Sequence, residues 1–186
     1  MDNNIQKYKT RTDLLNLVPT QSVFLEIGVF RGEFAKQIID ITNPKELYLV
    51  DIWEDGAGSG DKDGKNYVFL DDMEDVYLKL HKQTINNSHV HVIRAKSVSF
   101  LKNCDPDYFD AIYIDGDHTE EAVYLDLVNS FPVIKNEGLL MGHDYHYAVS
   151  GDSVSRAVTR FCSEYNQTVV CVADDGCPSF LIKVKK

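Results

Sequence analysis

A chain of 186 residues has the length of one domain with a real core, and leaves little room for a second. Hydrophobic residues at 44% and charged residues at 26% are ordinary globular proportions. A formal net charge of -10 with no Lys/Arg-rich run excludes nucleic acid as a partner, because phosphate binding needs clustered cations. A small neutral or cationic ligand is easier to accommodate.

The opening stretch MDNNIQKYKTRTDLL lacks the apolar core of a signal peptide, and no apolar run reaches the length of a membrane span. Cys104, Cys162, Cys171 and Cys177 show no C-x-x-C spacing, so reduced thiols in a cytoplasmic protein are expected. Within residues 1–20 the pattern predicts a helix from Lys7 to Leu17, closed by Val18-Pro19. Leu14, Leu15 and Val18 would pack it on the domain.

Val23 to Ile27 is a short apolar run and predicts a buried strand. Gly28 and Gly32 break it. Phe30, Phe34, Ile38 and Ile41 follow at helical spacing, so a helix starts near the second glycine. Strand, glycine turn and helix open a doubly wound α/β domain, whose ligand sits at the carboxyl end of the sheet. The turn is not G-x-G-x-x-G, since one glycine is missing and the spacing differs. Glu26 and Glu33 flank it. They would repel a pyrophosphate, with only Arg31 in partial offset, and they suit a ligand carrying a cation.

Glu46 to Ile52 predicts the second strand. Asp51 lies about 20 residues past the glycine turn, where Rossmann-like folds hold ribose hydroxyls. Trp53 could pack on an adenine face or serve as a core-edge aromatic. Glu54 to Asn66, with four glycines and four acids, reads as a mobile lid or as disorder. Its spacing fails the calcium-loop pattern. Tyr67 to Ile85 predicts a core-packing helix and Val90 to Arg94 a third strand. Ser97 begins a short helix after it. Phe109 to Asp115 is a fourth strand, followed by Gly116-Asp117-His118. Thr119 then caps a helix with Glu120 and Glu121 in its first turn. Gly138 to Met141 is a fifth strand, ending in Gly142-His143-Asp144-Tyr145. A helix from Ser153 to Tyr165 and an antiparallel pair, Val169–Val172 and Phe180–Val184, complete the chain.

The turn E-x-G-x-x-x-G resembles the first motif of class I S-adenosylmethionine (AdoMet) methyltransferases. D-G-D-H after F-D-x-I-x-I, with G-L-L-x-G-H-D-Y downstream, is a more specific match. It resembles the small-molecule O-methyltransferase family that includes the macrocin-type enzymes. This resemblance implies an α/β fold: a Rossmann-like seven-stranded sheet in the order 3-2-1-4-5-7-6, strand 7 antiparallel, helices on both faces. It implies one AdoMet-dependent domain over 1–186, with residues 1–20 as a helical cap and 54–66 as a lid. The cofactor is S-adenosyl-L-methionine, bound by Glu26, Gly28, Gly32, Asp51, Trp53, Ser97 and Asp115. His118 is implied as the base, with Asp115 beside it. Asp115, Asp144 and His143 stand where relatives hold a divalent cation, magnesium or manganese; a His at position 143 departs from that all-acidic set. The implied reaction is O-methylation of a small hydroxylated acceptor, a sugar or glycosylated metabolite, by a protein that can oligomerise. A non-catalytic AdoMet- or nucleoside-binding module and an NAD-type oxidoreductase are the rival readings.

Overall fold

The computed structural model describes residues 5–54, 72–146 and 152–186. Its strands are β1 (Gln6–Tyr8), β2 (Val23–Ile27), β3 (Glu46–Asp51), β4 (Val90–Arg94), β5 (Phe109–Ile114), β6 (Ile134–Gly142), β7 (Val169–Ala173) and β8 (Ser179–Lys183). Its helices are α1 (Arg11–Leu15), α2 (Glu33–Thr42), α3 (Met73–Thr84), α4 (Ser97–Leu101), α5 (Glu120–Val133) and α6 (Ser153–Glu164).

All the strands join one sheet in the order β1-β7-β8-β6-β5-β2-β3-β4. Seven of them, from β4 to β7, follow the expected order, with β8 antiparallel to both β6 and β7. The eighth is a departure. Gln6–Tyr8 is not the start of a helix but an edge strand, paired in parallel with Cys171–Ala173. Helix α1 is correspondingly only Arg11–Leu15. The backbone groups that β7 leaves open at its edge override the local helical pattern. Leu14, Leu15 and Val18 are buried as expected.

Alternation along the central strands divides the core in two. Leu25, Ile27, Ile112 and Ile114 face α4, α5 and α6, whereas Phe24, Ala111 and Tyr113 face α1, α2 and α3. Helix α3 starts at an Asp72 cap that accepts from the Glu74 and Asp75 amides at 2.9 and 3.2 Å. Met73 and Leu80 bury on its inner side, whereas Ile85, the C-cap residue, is 65% exposed. The predicted start of this helix, from Tyr67, and the predicted lid beyond Glu54 lie outside the described residues. Among the described residues, no helix is long and apolar enough to cross a membrane. The turns after β2, β3, β5 and β6 open together at the carboxyl edge of the sheet, because these four strands run parallel and adjacent.

Candidate active site

The glycine turn after β2 is built from its neighbours inward. The Gly28 amide donates to the Val50 carbonyl at 2.9 Å, and Gly28 has φ +82°. A Cβ there would lie 2.1 Å from the Asp115 carbonyl oxygen and 2.5 Å from the Gly116 nitrogen. The absent side chain therefore makes room for the turn after β5, a second chain segment. Gly32, φ +79°, caps α2 from the left-handed region; its added Cβ would meet only the Leu80 side chain, at 2.6 Å.

Asp51 acts first on the protein itself. Its Oδ2 accepts from the Val29 and Phe30 amides at 2.7 and 2.9 Å, and its Oδ1 from the Trp53 amide at 3.1 Å. A carboxylate has acceptor positions to spare, so a ribose hydroxyl can still reach Oδ1. Trp53 departs from the adenine-stacking expectation. It is 1% exposed, its Nε1 donates to the Phe30 carbonyl at 2.9 Å, and its ring packs on Tyr77. Phe30 and Trp53 hold φ of 49° and 41°, unusual for bulky residues. Their mutual hydrogen bond and the Asp51 carboxylate keep that strain in place.

Glu26 ends up beneath this turn, 1% exposed, and its Oε2 is buried with no hydrogen-bond partner among the described residues. Burial pushes its carboxyl well above the usual range, and the charge of Asp115 adds to the push while Arg11 opposes it. Arg11 arrives from α1. Its Nη1 lies 3.6 Å from Asp115 Oδ2, and its guanidinium sits 4.6 Å over the Phe34 ring. No local pattern marks it, because the long-range β1–β7 pairing helps bring residue 11 to this edge.

The turns after β5 and β6 meet in a cluster of two acids and two imidazoles. His118 Nε2 is 3.2 Å from Asp115 Oδ1, and His118 Nδ1 is 3.3 Å from Asp144 Oδ2. His143 Nδ1 is 3.4 Å from Asp115 Oδ1 and 3.3 Å from Asp144 Oδ1. Burial works against the Asp115 charge, yet the hydrogen bonds from His118 and His143 win and hold its carboxyl far below the usual range. For His118, burial disfavours the charged ring; the bond to Asp115 and the charges of Asp115, Asp144 and Asp117 outweigh it and raise its pKa. Asp144 has φ 55°, a conformation Asp tolerates better than most residues, and it is 8% exposed. Asp115, His118, His143 and Asp144, all singled out from the sequence, thus converge.

Ser97 does not offer an open hydroxyl. Its Oγ donates to Asp126 Oδ1 at 2.5 Å, inside the layer between α4 and α5. Asp126, on α5, is a buried acid that the sequence reading missed, since it is a single acid in the middle of the helix with no motif around it. Cys177 was missed too. It lies in the β7–β8 turn, and one potential ligand atom each from Cys177, His143 and Asp144 all lie within 4.8 Å of one another.

The family model described as "Methyltransferase domain" matches residues 25–145, which include the glycine turn and both acid–histidine turns. No curated protein matches the chain in sequence. Among solved structures, the chain is similar to the O-methyltransferase NovP, with 15% identity and a TM-score of 0.69 over 95% of this chain and 80% of that one. It is also similar to the N-methyltransferase NodS from Bradyrhizobium japonicum WM9 in complex with S-adenosyl-L-homocysteine, with 15% identity and a TM-score of 0.64 over 95% and 86%. Spermidine synthase from Thermotoga maritima shares the fold at 16% identity and a TM-score of 0.59, over 95% of this chain and 58% of that one. These likenesses bear on fold alone, and the family assignment rests on the matched segment. With a sheet of this order and that match, the chain belongs to the methyltransferase-domain family and is a class I AdoMet-dependent methyltransferase.

Proposed function

We propose that the chain methylates a hydroxyl oxygen of a small molecule, a sugar or glycosylated metabolite, with His118 as the base. The observation that supports this reading is the His118 ring, held between Asp115 and Asp144 where the turns after β5 and β6 meet. The whole chain acts as one domain, with α1 capping the site.

The residues fit AdoMet. The buried, unpartnered Glu26 Oε2 and the charges of Asp51 and Asp115 make a pocket that complements a cation. Glu26 and the backbone of the Gly28–Gly32 turn would hold the amino-acid end, Asp51 the ribose, and Arg11 the carboxylate. AdoMet, when bound, supplies an electrophilic methyl with a good leaving group. The chain's task is to align the acceptor oxygen within about 3–3.5 Å and to take its proton. Asp115 retains the hydrogen bond at His118 Nε2. The acceptor hydroxyl displaces Asp144 from Nδ1, and Nδ1 receives the proton. Asp115 then stabilises the imidazolium, as an orienting carboxylate does.

Magnesium does not fit the same turns. It takes near-octahedral oxygen ligands, and here two imidazoles stand among the acids.

Methyl transfer from radiolabelled AdoMet to pooled hydroxylated metabolites, then to the isolated acceptor, tests the reading. His118→Ala should lower turnover by about 10²–10⁴-fold, the usual worth of a general base, with unchanged affinity for S-adenosylhomocysteine by calorimetry. Near-normal turnover would remove His118 from the chemistry. Tight S-adenosylhomocysteine binding without transfer to any acceptor would leave a non-catalytic module, and binding of NAD in its place would favour an oxidoreductase.

A further inference from the structure

We propose that Arg94 is a positioning residue for the cofactor: it grips the turn after β3 and, through one peptide group of that turn, aims the Asp51 carboxylate at the ribose. The role rests on the assignment of Asp51 to the ribose. Arg94 and Asp51 are partners in the last rung between β4 and β3. The Ala95 amide closes that rung on the Asp51 carbonyl at 2.9 Å. Past it β3 has ended, and the carbonyls of Ile52 and Trp53 need donors from elsewhere. The Arg94 side chain supplies them. Its Nε donates to the Ile52 carbonyl at 3.1 Å, and its Nη2 to the Trp53 carbonyl at 2.5 Å.

One peptide group links this grip to Asp51. The unit between Ile52 and Trp53 carries both the Ile52 carbonyl and the Trp53 amide. Arg94 Nε holds its oxygen, and Asp51 Oδ1 accepts from its N–H at 3.1 Å. A planar peptide cannot turn at one end alone, so fixing the oxygen also fixes the hydrogen bond that orients Oδ1. The grip is needed because Trp53 holds φ 41°, a conformation a bulky residue leaves unless its surroundings over-determine it.

The guanidinium is held in its turn. Nη1 pairs with the Glu74 carboxylate of α3, and the group lies 5.4 Å from the centre of the Tyr77 ring. Tyr77 packs on Trp53 with ring centroids 5.2 Å apart. Three nitrogens meet three different oxygens, which uses the planar fork of arginine. A lysine ammonium on its flexible stem does not reproduce that arrangement.

Calorimetry with S-adenosylhomocysteine and with its dideoxyribose analogue, which lacks both ribose hydroxyls, tests the role without any acceptor. The wild type should bind S-adenosylhomocysteine at least about 10-fold tighter, since the analogue offers Asp51 no hydroxyl. Arg94→Met keeps an unbranched stem beside Tyr77 and removes the donors. It should lose about 10-fold for S-adenosylhomocysteine and less than about 2-fold for the analogue, so that the preference collapses. Arg94→Lys should behave in the same way. Glu74→Gln, at a side chain 54% exposed, frees the guanidinium without disturbing the core and should show a smaller loss of the same kind. Trp53 is the single tryptophan, so acrylamide quenching of its fluorescence in the ligand-free protein reads the same turn and should rise in Arg94→Met. Circular dichroism checks that each variant is folded. Equal losses for the two ligands, no loss for either, full rescue by Arg94→Lys or unchanged quenching overturns the positioning role. A wild type that binds the two ligands equally removes the ribose from Asp51 instead, and the consequence of the grip with it.

Discussion

Asp126 carries a charge the fold would rather not hold. It is 4% exposed, and burial pushes its carboxyl up to about 6, against the Ser97 hydrogen bond and with the charge of Asp117. In the unfolded chain the same group titrates near 3.9. The folded state therefore binds the proton more tightly. The stability this gives is fully present below about pH 4 and is lost as pH rises through 6. A shift of about two units corresponds to roughly 3 kcal/mol. Asp126→Asn keeps an acceptor for Ser97 without the charge. Its stability gain over the wild type should be near zero at about pH 4 and reach on the order of 2–3 kcal/mol above about pH 7. Urea unfolding across that range measures it, and a gain that does not vary with pH would mean that Asp126 is already neutral throughout or already solvated.

At the scale of elements, two turns are locked together at Gly28. The sequence marked this glycine as a ligand-binding position, and the structure shows the Asp115–Gly116 backbone in the space where a side chain would go. Gly28→Ala should destabilise the protein by about 2–4 kcal/mol, from a positive φ plus a backbone clash, and weaken S-adenosylhomocysteine binding in parallel. Gly32→Ala should cost less, because Leu80 can rotate away. Paired denaturation and calorimetry on the two variants would show it; a Gly28→Ala protein of normal stability would mean that the turns move independently. What the sequence revealed about these elements follows from range. Strand–turn–helix units such as β2–α2 and β5–α5 announce themselves through local periodicity and caps, and Asp115, His118, His143 and Asp144 sit in such turns. Gln6–Tyr8 became a strand only through pairing with residues more than 160 positions away. Arg11 and Cys177 reached the site by the same long-range closure, so no local pattern could place them. Trp53 was ambiguous because burial of a single aromatic depends on what α3 lays over it, here Tyr77.

Over the whole molecule, the short strand β1 connects the rim of the sheet to its functional edge. Tyr8 accepts from the Asp174 amide at 3.3 Å, and the Arg11 amide donates to Asp175 Oδ2 at 3.2 Å, two residues before Cys177. A three-residue strand at a sheet edge opens at low free-energy cost, well below global unfolding. If that opening carries Arg11 away from Asp115, a carboxylate-bearing ligand clasped by Arg11 must leave first. Mass action then couples the two events: the opening constant falls by the factor 1 + [L]/Kd, about 100-fold at a hundred times Kd. Hydrogen exchange at Tyr8 should slow by up to that factor with saturating S-adenosylhomocysteine, and much less with methylthioadenosine, which lacks the carboxylate. Unchanged exchange with both would show that β1 frays without moving Arg11. Where the slowing is found, the margin of the sheet serves as an occupancy gauge for its centre, readable in an amide proton that no ligand touches.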